Sequence, residues 1–499
     1  MATIRKQAII SGIILYTGFA VGAINMYLFT RLFTTDEYGL TRAFMDFGQS
    51  AFAFGSLGAV TVLYKFYPYY KDNLPDNKND LLTWTLCASI LGFTLVTLGG
   101  IVFQPFVVLK FSHNSPLFLA FYYWVFPFGL GILLFGILEA FSLSLKNAVA
   151  PTFLKELVLR LLTSVIIAIY YFKLINFSVF IYLFAFTYLA IAICLIIYLA
   201  RQNKFYITFK ISHVSKKFYK KMLAMQSLYY SGVIITVLKE SIDGIIITAL
   251  LGLSSTGVFA LAQYLASLVQ APQRSLVNVS IGAISQAWKD KNVEEVSRIY
   301  SRSCINMMIM SFFIYGNVVL NTVDTIKVLH IPESFLAGYK VMIILGLMRI
   351  IDAGTGVNNV VILTSNRWKF DFFSGIILMI LMIPSSYFLI KQYGIIGSAY
   401  AQLLSFTIYN AIRFEFIRRV FKMQPFNSKT LYSILLSIAA FVLAYLIGTH
   451  LNGWIAIFAR GIIFSGLMIT GVFALKLTPD AHQLLEKWLL KTNKKDNIS

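Results

Sequence analysis

Acidic residues are scarce in this chain: 21 Asp and Glu stand against 42 Lys and Arg in 499 residues, and charged residues of both signs make up only 13%. A soluble domain needs about a quarter of its residues charged to cover its surface, so that class is excluded. There are three cysteines, Cys87, Cys194 and Cys304, each inside an apolar segment and none in a CxxC spacing. That excludes a disulfide framework and a zinc site, and the three read as small buried apolar residues. No P-loop, HExxH or GxSxG occurs in a credible context, so ATP hydrolysis and covalent catalysis have no machinery, and no metal or organic cofactor is expected. No loop is long enough to fold as a domain. A membrane enzyme acting on sugars outside the cell normally needs such a domain, so an enzyme is not expected.

Hydrophobic residues make up 58% of the chain, which places it among integral membrane proteins. A helix needs about 20 apolar residues to cross the hydrocarbon layer. Fourteen such segments are predicted, at 8–33, 38–64, 81–106, 117–143, 152–172, 177–200, 222–251, 256–287, 300–320, 335–363, 370–390, 395–417, 430–449 and 454–475. The expected fold is an all-α polytopic membrane protein. The N-terminal MATIRKQ leads into an apolar run from Ala8 to Phe33, too long for a signal-peptide core, and reads as the first span.

The loops orient these spans. Between Arg201 and Met222 stand Arg201, Lys204, Lys210, Lys216, Lys217, Lys220 and Lys221 with no Asp or Glu. Such a loop is retained on the cytoplasmic side during insertion. The other even-numbered connections are also basic, while the odd ones, such as TTDE at 34–37 and HLNG at 450–453, are short and poor in Lys and Arg. This alternation predicts both termini in the cytoplasm. The formal charge of +21 is spread over these loops rather than gathered on one face, which argues against nucleic acid as a partner. In the tail from Thr478, Leu484, Leu485, Trp488 and Leu489 outline a short amphipathic helix at the cytoplasmic interface.

A weak internal repeat crosses the central loop. LFTTDEYGL at 32–40 aligns with LLGLSSTGV at 250–258, matching Gly39 to Gly257, and Asn147 falls on Asn366. The implied layout is a six-helix half at 1–200, a basic linker at 201–222, a second six-helix half at 223–421, two added helices at 422–477 and a tail at 478–499. Six spans per half make the repeats parallel, an arrangement used for alternating access.

Ionisable residues deep in a span cost roughly 2.5 to 3.5 kcal/mol each and call for a partner, a cavity or a function. Arg42 and Asp46, Lys239 and Asp243, and Arg349 and Asp352 are spaced so that each pair shares a helix face and can neutralise itself. Arg274 has no such neighbour. It follows Pro272, whose missing donor should kink the helix and open it toward a cavity. Glu139, Lys155, Glu156, Arg160, Arg413 and Glu415 lie nearer cytoplasmic ends, where snorkelling explains them. The many Phe and Tyr rings read mostly as lipid-facing or interfacial.

RLFTTDEYGLTRAF at 31–44 and YGIIGSAYAQLLS at 393–405, with the basic N-terminus, resemble the Wzx-type polysaccharide flippase branch of the multidrug/oligosaccharidyl-lipid/polysaccharide (MOP) exporter superfamily. The resemblance implies two MATE-like six-helix halves plus two helices, a bacterial plasma (inner) membrane location, and flipping of an undecaprenyl-diphosphate-linked oligosaccharide to the outer leaflet for O-antigen, capsule or exopolysaccharide synthesis. Arg42, Lys239, Arg274 and Arg349 would line a cationic cavity for the diphosphate. Asp46, Asp243 and Asp352 would hold those cations or couple to H⁺ or Na⁺, and polysaccharide polymerase machinery is an expected partner. The competing readings are a small-cation multidrug antiporter of the same superfamily, a membrane glycan polymerase or ligase, and a scaffold for polysaccharide assembly.

Overall fold

The computed structural model describes residues 2–478, so the amphipathic helix expected around Leu484 to Leu489 lies outside the described residues. The described chain is helical with no strand. By its contacts it divides after Gly257 into two compact units.

The first unit holds α1 (Ala2–Leu32), α2 (Thr35–Gly55), α3 (Ala59–Asn73), α4 (Leu81–Val102), α5 (Gln104–Phe111), α6 (Pro116–Ala120), α7 (Val125–Ser144), α8 (Val149–Phe153), α9 (Leu159–Tyr171), α10 (Phe177–Ala185), α11 (Thr187–Arg201) and α12 (His213–Leu250). The start of α13 (Leu253–Ser267) belongs to it as well. The remainder of α13 opens the second unit, followed by α14 (Ala271–Lys289), α15 (Val293–Val328), α16 (Tyr339–Gly354), α17 (Asn358–Leu363), α18 (Lys369–Tyr393), α19 (Ile395–Phe421), α20 (Ser428–Gly448) and α21 (Gly453–Ala474).

Nine helical stretches among the described residues are long and apolar enough to cross a membrane. The others expected to span carry deep charges or interruptions: α2 with α3, the stretch from α8 through α9, α12, α13 with α14, and α19. The protein is an all-α polytopic membrane protein.

The short sequence signatures turn out to be folding devices. Thr34 and Glu37 form a capping box, Thr34 Oγ1 accepting from the Glu37 amide at 3.2 Å and Glu37 accepting from the Thr34 amide at 2.9 Å. Gly394 turns between α18 and α19 at φ +65°, ψ −146°, a region only glycine enters freely. Gly397 then sits against the Leu389 carbonyl, where a Cβ would clash.

In the first unit α2 packs on α7, α12 and α4, and α11 packs on α7. Its core is aromatic: Phe29, Phe33, Phe44, Phe128, Phe180 and Phe184 are all buried. Phe33 stacks on Tyr170 at 4.7 Å and Phe128 on Phe184 at 5.3 Å. Lipid tails are as apolar as side chains, so packing rather than the hydrophobic effect joins these helices, and flat rings offer large packing area. In the second unit α18 lies along α19, α16 on α19, and α15 against α16, α20 and α21. The cysteines are free; Cys304 is buried as expected, whereas Cys194 is exposed on α11.

The basic loop is tied down. Asp80, fully buried, accepts at one carboxylate oxygen from the Ser212 amide at 2.9 Å, Ser215 Oγ at 2.7 Å and Trp84 Nε1 at 3.1 Å. Since Ser215 donates to Asp80, the Tyr70 hydroxyl 2.7 Å away must donate to Ser215. Burial pushes that phenol up to about 12, so it keeps its proton. Lys204 pairs with Asp76 at 2.5 Å.

Candidate functional site

In the first unit, two of the three predicted charge pairs meet on the facing helices α2 and α12. Arg42 does not close onto Asp46. Its Nε donates to the Tyr38 hydroxyl at 3.0 Å, and its guanidinium lies 4.9 Å over that ring. Tyr38 in turn is fully buried and donates to Met26 of α1 at 3.2 Å. The Asp46 carboxylate packs instead against the Gly244 backbone, where a Cβ would overlap it. There it lies within electrostatic reach of both Arg42 and Asp243. Asp243 is 1% exposed, and Lys239 stands one turn before it, half-buried. Self-neutralisation along one helix, the reading from spacing, therefore gives way in α2 to a two-helix cluster of Arg42, Asp46 and Asp243. The sequence could not reveal this, because it does not say that α2 faces α12.

In the second unit, Arg349 and Asp352 of α16 are joined through a residue from another element. Gln270 accepts from Arg349 at 2.7 Å and donates to Asp352. Asn410 of α19 donates to the other Asp352 oxygen at 3.0 Å, and its own carbonyl accepts from Asn358 at 3.2 Å. The helix breaks beside this network. α16 ends at Gly354, Gly356 adopts φ +63°, and α17 starts at Asn358. Gln273 donates to the freed carbonyls of Asp352 and Gly356 at 3.3 and 3.1 Å. Unpaired backbone at membrane depth is tolerated only where protein or a cavity satisfies it, and broken spans are where transporters place ions and anionic substrates. Gln270, Gln273, Asn358 and Asn410 escaped the sequence reading. The signal that would have found them is the Gly354-Thr355-Gly356 run inside an apolar segment.

Arg274 is not part of the second unit's network. Pro272 does interrupt the helix: a short 3₁₀ turn at 268–270 separates α13 from α14, with the proline in the first turn of α14, where its missing donor costs nothing. Arg274 follows on α14 as an exposed side chain, without a hydrogen bond or ion pair among the described residues.

The residues expected to snorkel are paired. Lys155 meets Glu139 at 3.2 Å and Arg160 meets Glu156 at 2.7 Å across a π-helical turn at 154–158. Arg160 also donates to the Gly18 carbonyl of α1. Arg413 is 1% exposed rather than reaching outward: it pairs with Asp371 at 2.6 Å and lies over the Tyr409 ring. Glu415 is bound to Arg419 at 2.6 Å near the end of α19.

Each unit of this all-α membrane protein thus holds a polar cluster among its helices. Among solved structures the chain resembles the lipid II flippase MurJ in an inward closed conformation, with a TM-score of 0.71 at 15% identity over 94% of this chain and 99% of that one. It also resembles an inward-facing multidrug resistance MATE family transporter of the MOP superfamily, with a TM-score of 0.66 at 12% identity over 83% and 98%. A third likeness is to a MOP superfamily transporter from Pyrococcus furiosus, with a TM-score of 0.55 at 12% identity over 84% and 96%. The fold is the one these transporters share. No protein-family model matches the sequence, and no curated protein matches it.

Proposed function

We propose that this protein is a flippase of the MOP superfamily, of the Wzx type, carrying an undecaprenyl-diphosphate-linked oligosaccharide from the cytoplasmic to the outer leaflet of the bacterial inner membrane by alternating access. Its product would feed O-antigen, capsule or exopolysaccharide synthesis beside the polymerase machinery. Two six-span halves, two added spans and cytoplasmic termini complete the reading.

The observation that carries it is the placement of cations in both units within the membrane helices: Arg42 and Lys239 in the first, Arg349 in the second. A diphosphate crossing hydrocarbon loses its hydration, and fixed cations supply charge-assisted hydrogen bonds in its place. Arg274, exposed on α14, is a fourth cation of this set. The acids Asp46, Asp243 and Asp352 restrain the cations and offer coupling sites for H⁺ or Na⁺, since one charge moved through 100 mV is worth about 2.3 kcal/mol. The likeness to the MurJ structure over nearly the whole chain supports the same reading.

One observation favours a cation antiporter instead. Asp46 and Asp243 are carboxylates sharing one site, the chemistry that captures a cation in exchange for protons. The experiment that separates the two is transport in proteoliposomes, offering a fluorescent diphosphate-linked glycolipid and, separately, an organic cation. Flipping of the glycolipid by the wild type, lost in Arg42→Ala, Lys239→Ala or Arg274→Ala at equal insertion, supports the flippase. Uptake of the organic cation alone refutes it.

A further inference from the structure

Beside the pinned basic loop the first unit carries an open groove of about 470 Å³ between α3, α4 and the start of α12. Its walls are apolar, from Ala59, Val62, Ala88 and Leu223, with Trp84 and Tyr219 as the aromatic faces. Lys216 stands at its rim, and Lys220 follows one turn later on α12.

We infer that the groove binds an anionic phospholipid of the cytoplasmic leaflet, one acyl chain lying along Trp84 and the phosphate resting against Lys216 and Lys220. Charge complementarity selects this occupant. From Arg201 to Met222 the chain has seven cations and no acid. Two acids beside the loop are already committed, Asp76 to Lys204 and the buried Asp80 to Ser212, Ser215 and Trp84. A zwitterionic headgroup would gain little from this rim, whereas an anionic one gains a cation within reach of each lysine. The loop itself presents apolar side chains beside those charges: Ile207, Phe209 and Ile211 are exposed, and so is Lys210 between the last two. Neighbouring apolar and basic side chains suit the level of the headgroups, where both find their preferred surroundings. The Asp80 network fixes Trp84 and Ser215 with respect to each other, so the groove is formed before a lipid arrives.

The test uses the full chain in phosphatidylcholine vesicles doped with phosphatidylglycerol brominated on its acyl chains, reading tryptophan fluorescence. Quenching is expected to saturate at a low mole fraction of the brominated anionic lipid, and Trp84→Phe is expected to remove the saturable part. Lys216→Gln and Lys220→Gln alter exposed residues and leave Trp84 in place; each is expected to raise the half-quenching mole fraction about fivefold, as one lysine near a phosphate is worth about 1 kcal/mol. Equal quenching by brominated phosphatidylcholine, or half-quenching unmoved in the double lysine variant, overturns the inference. So does competition by a polyprenyl phosphate where unlabelled phosphatidylglycerol fails to compete.

Discussion

Thr35 and Ser254, which begin the helices α2 and α13 of the first unit, face each other through their hydroxyl oxygens at 2.7 Å. One turn further, Gly39 and Gly257 let the two backbones cross: a Cβ on Gly39 would strike the Leu253 carbonyl, and one on Gly257 the Thr35 carbonyl. These are the two turns that the sequence repeat aligned, and each glycine approaches the other's helix in the same way. Small residues at a crossing are how membrane helices gain close packing.

The crossing predicts a sign. Alanine favours a helix over glycine by up to about 1 kcal/mol, but here the obstructing atoms are backbone oxygens that cannot rotate away. Gly39→Ala and Gly257→Ala are therefore expected to lower stability by about 1 to 3 kcal/mol, read as a drop in the thermal midpoint of the detergent-solubilised protein. An unchanged or higher midpoint would mean the helices separate readily.

Arg460 of α21 pairs with Asp324 of α15 and donates to the Gly448 carbonyl at 2.7 Å, joining α20 and α21 to the rest of the second unit. Both partners are largely buried, at 12% and 14% side-chain exposure. Removing one partner leaves a buried charge, which costs about 3 to 5 kcal/mol, whereas removing both is far milder. Arg460→Met is expected to unfold at a lower temperature than Arg460→Met combined with Asp324→Leu. The opposite order in thermal unfolding would show that the pair is solvated.

Gln270 is the bridge between Arg349 and Asp352. Gln270→Leu takes one hydrogen-bond partner from each of two half-buried charged groups and is expected to cost about 1 to 3 kcal/mol, with transport falling along with stability. Gln270→Glu keeps an acceptor for Arg349 but sets a second carboxylate against Asp352. Its activity is expected to recover as pH falls and the added acid takes a proton. A flat pH profile for Gln270→Glu, measured against wild type in proteoliposomes, would remove the bridge from the account.

What could be read from the sequence follows the physics of each scale. Apolar run length and loop charge specify an all-α membrane protein because insertion reads those same quantities. The turn signatures at Thr34-Glu37 and Gly394 are local and were visible for that reason. Pairing inside the membrane is not local. Arg42 and Asp46 sit at ideal spacing, yet Tyr38 lies one turn to the other side and takes the guanidinium, while Asp46 faces Gly244, some 200 residues away in the chain. Arg413 looked interfacial from its distance to the end of its span, but Asp371 on the adjacent α18 makes burial tolerable. Polar partners such as Gln270 and Asn410 carry no charge to draw attention in a hydropathy profile.

The central claim is that the intramembrane cations exist for the phosphates of a lipid-linked cargo. The most direct measurement compares initial flipping rates, in proteoliposomes, of three fluorescent glycolipids identical but for a diphosphate, a monophosphate or an uncharged linkage. The account predicts that the rate falls with each phosphate removed, and that Arg42→Ala and Arg349→Ala abolish the preference while inserting normally. Equal rates for all three lipids, or an intact preference in both variants, would contradict it.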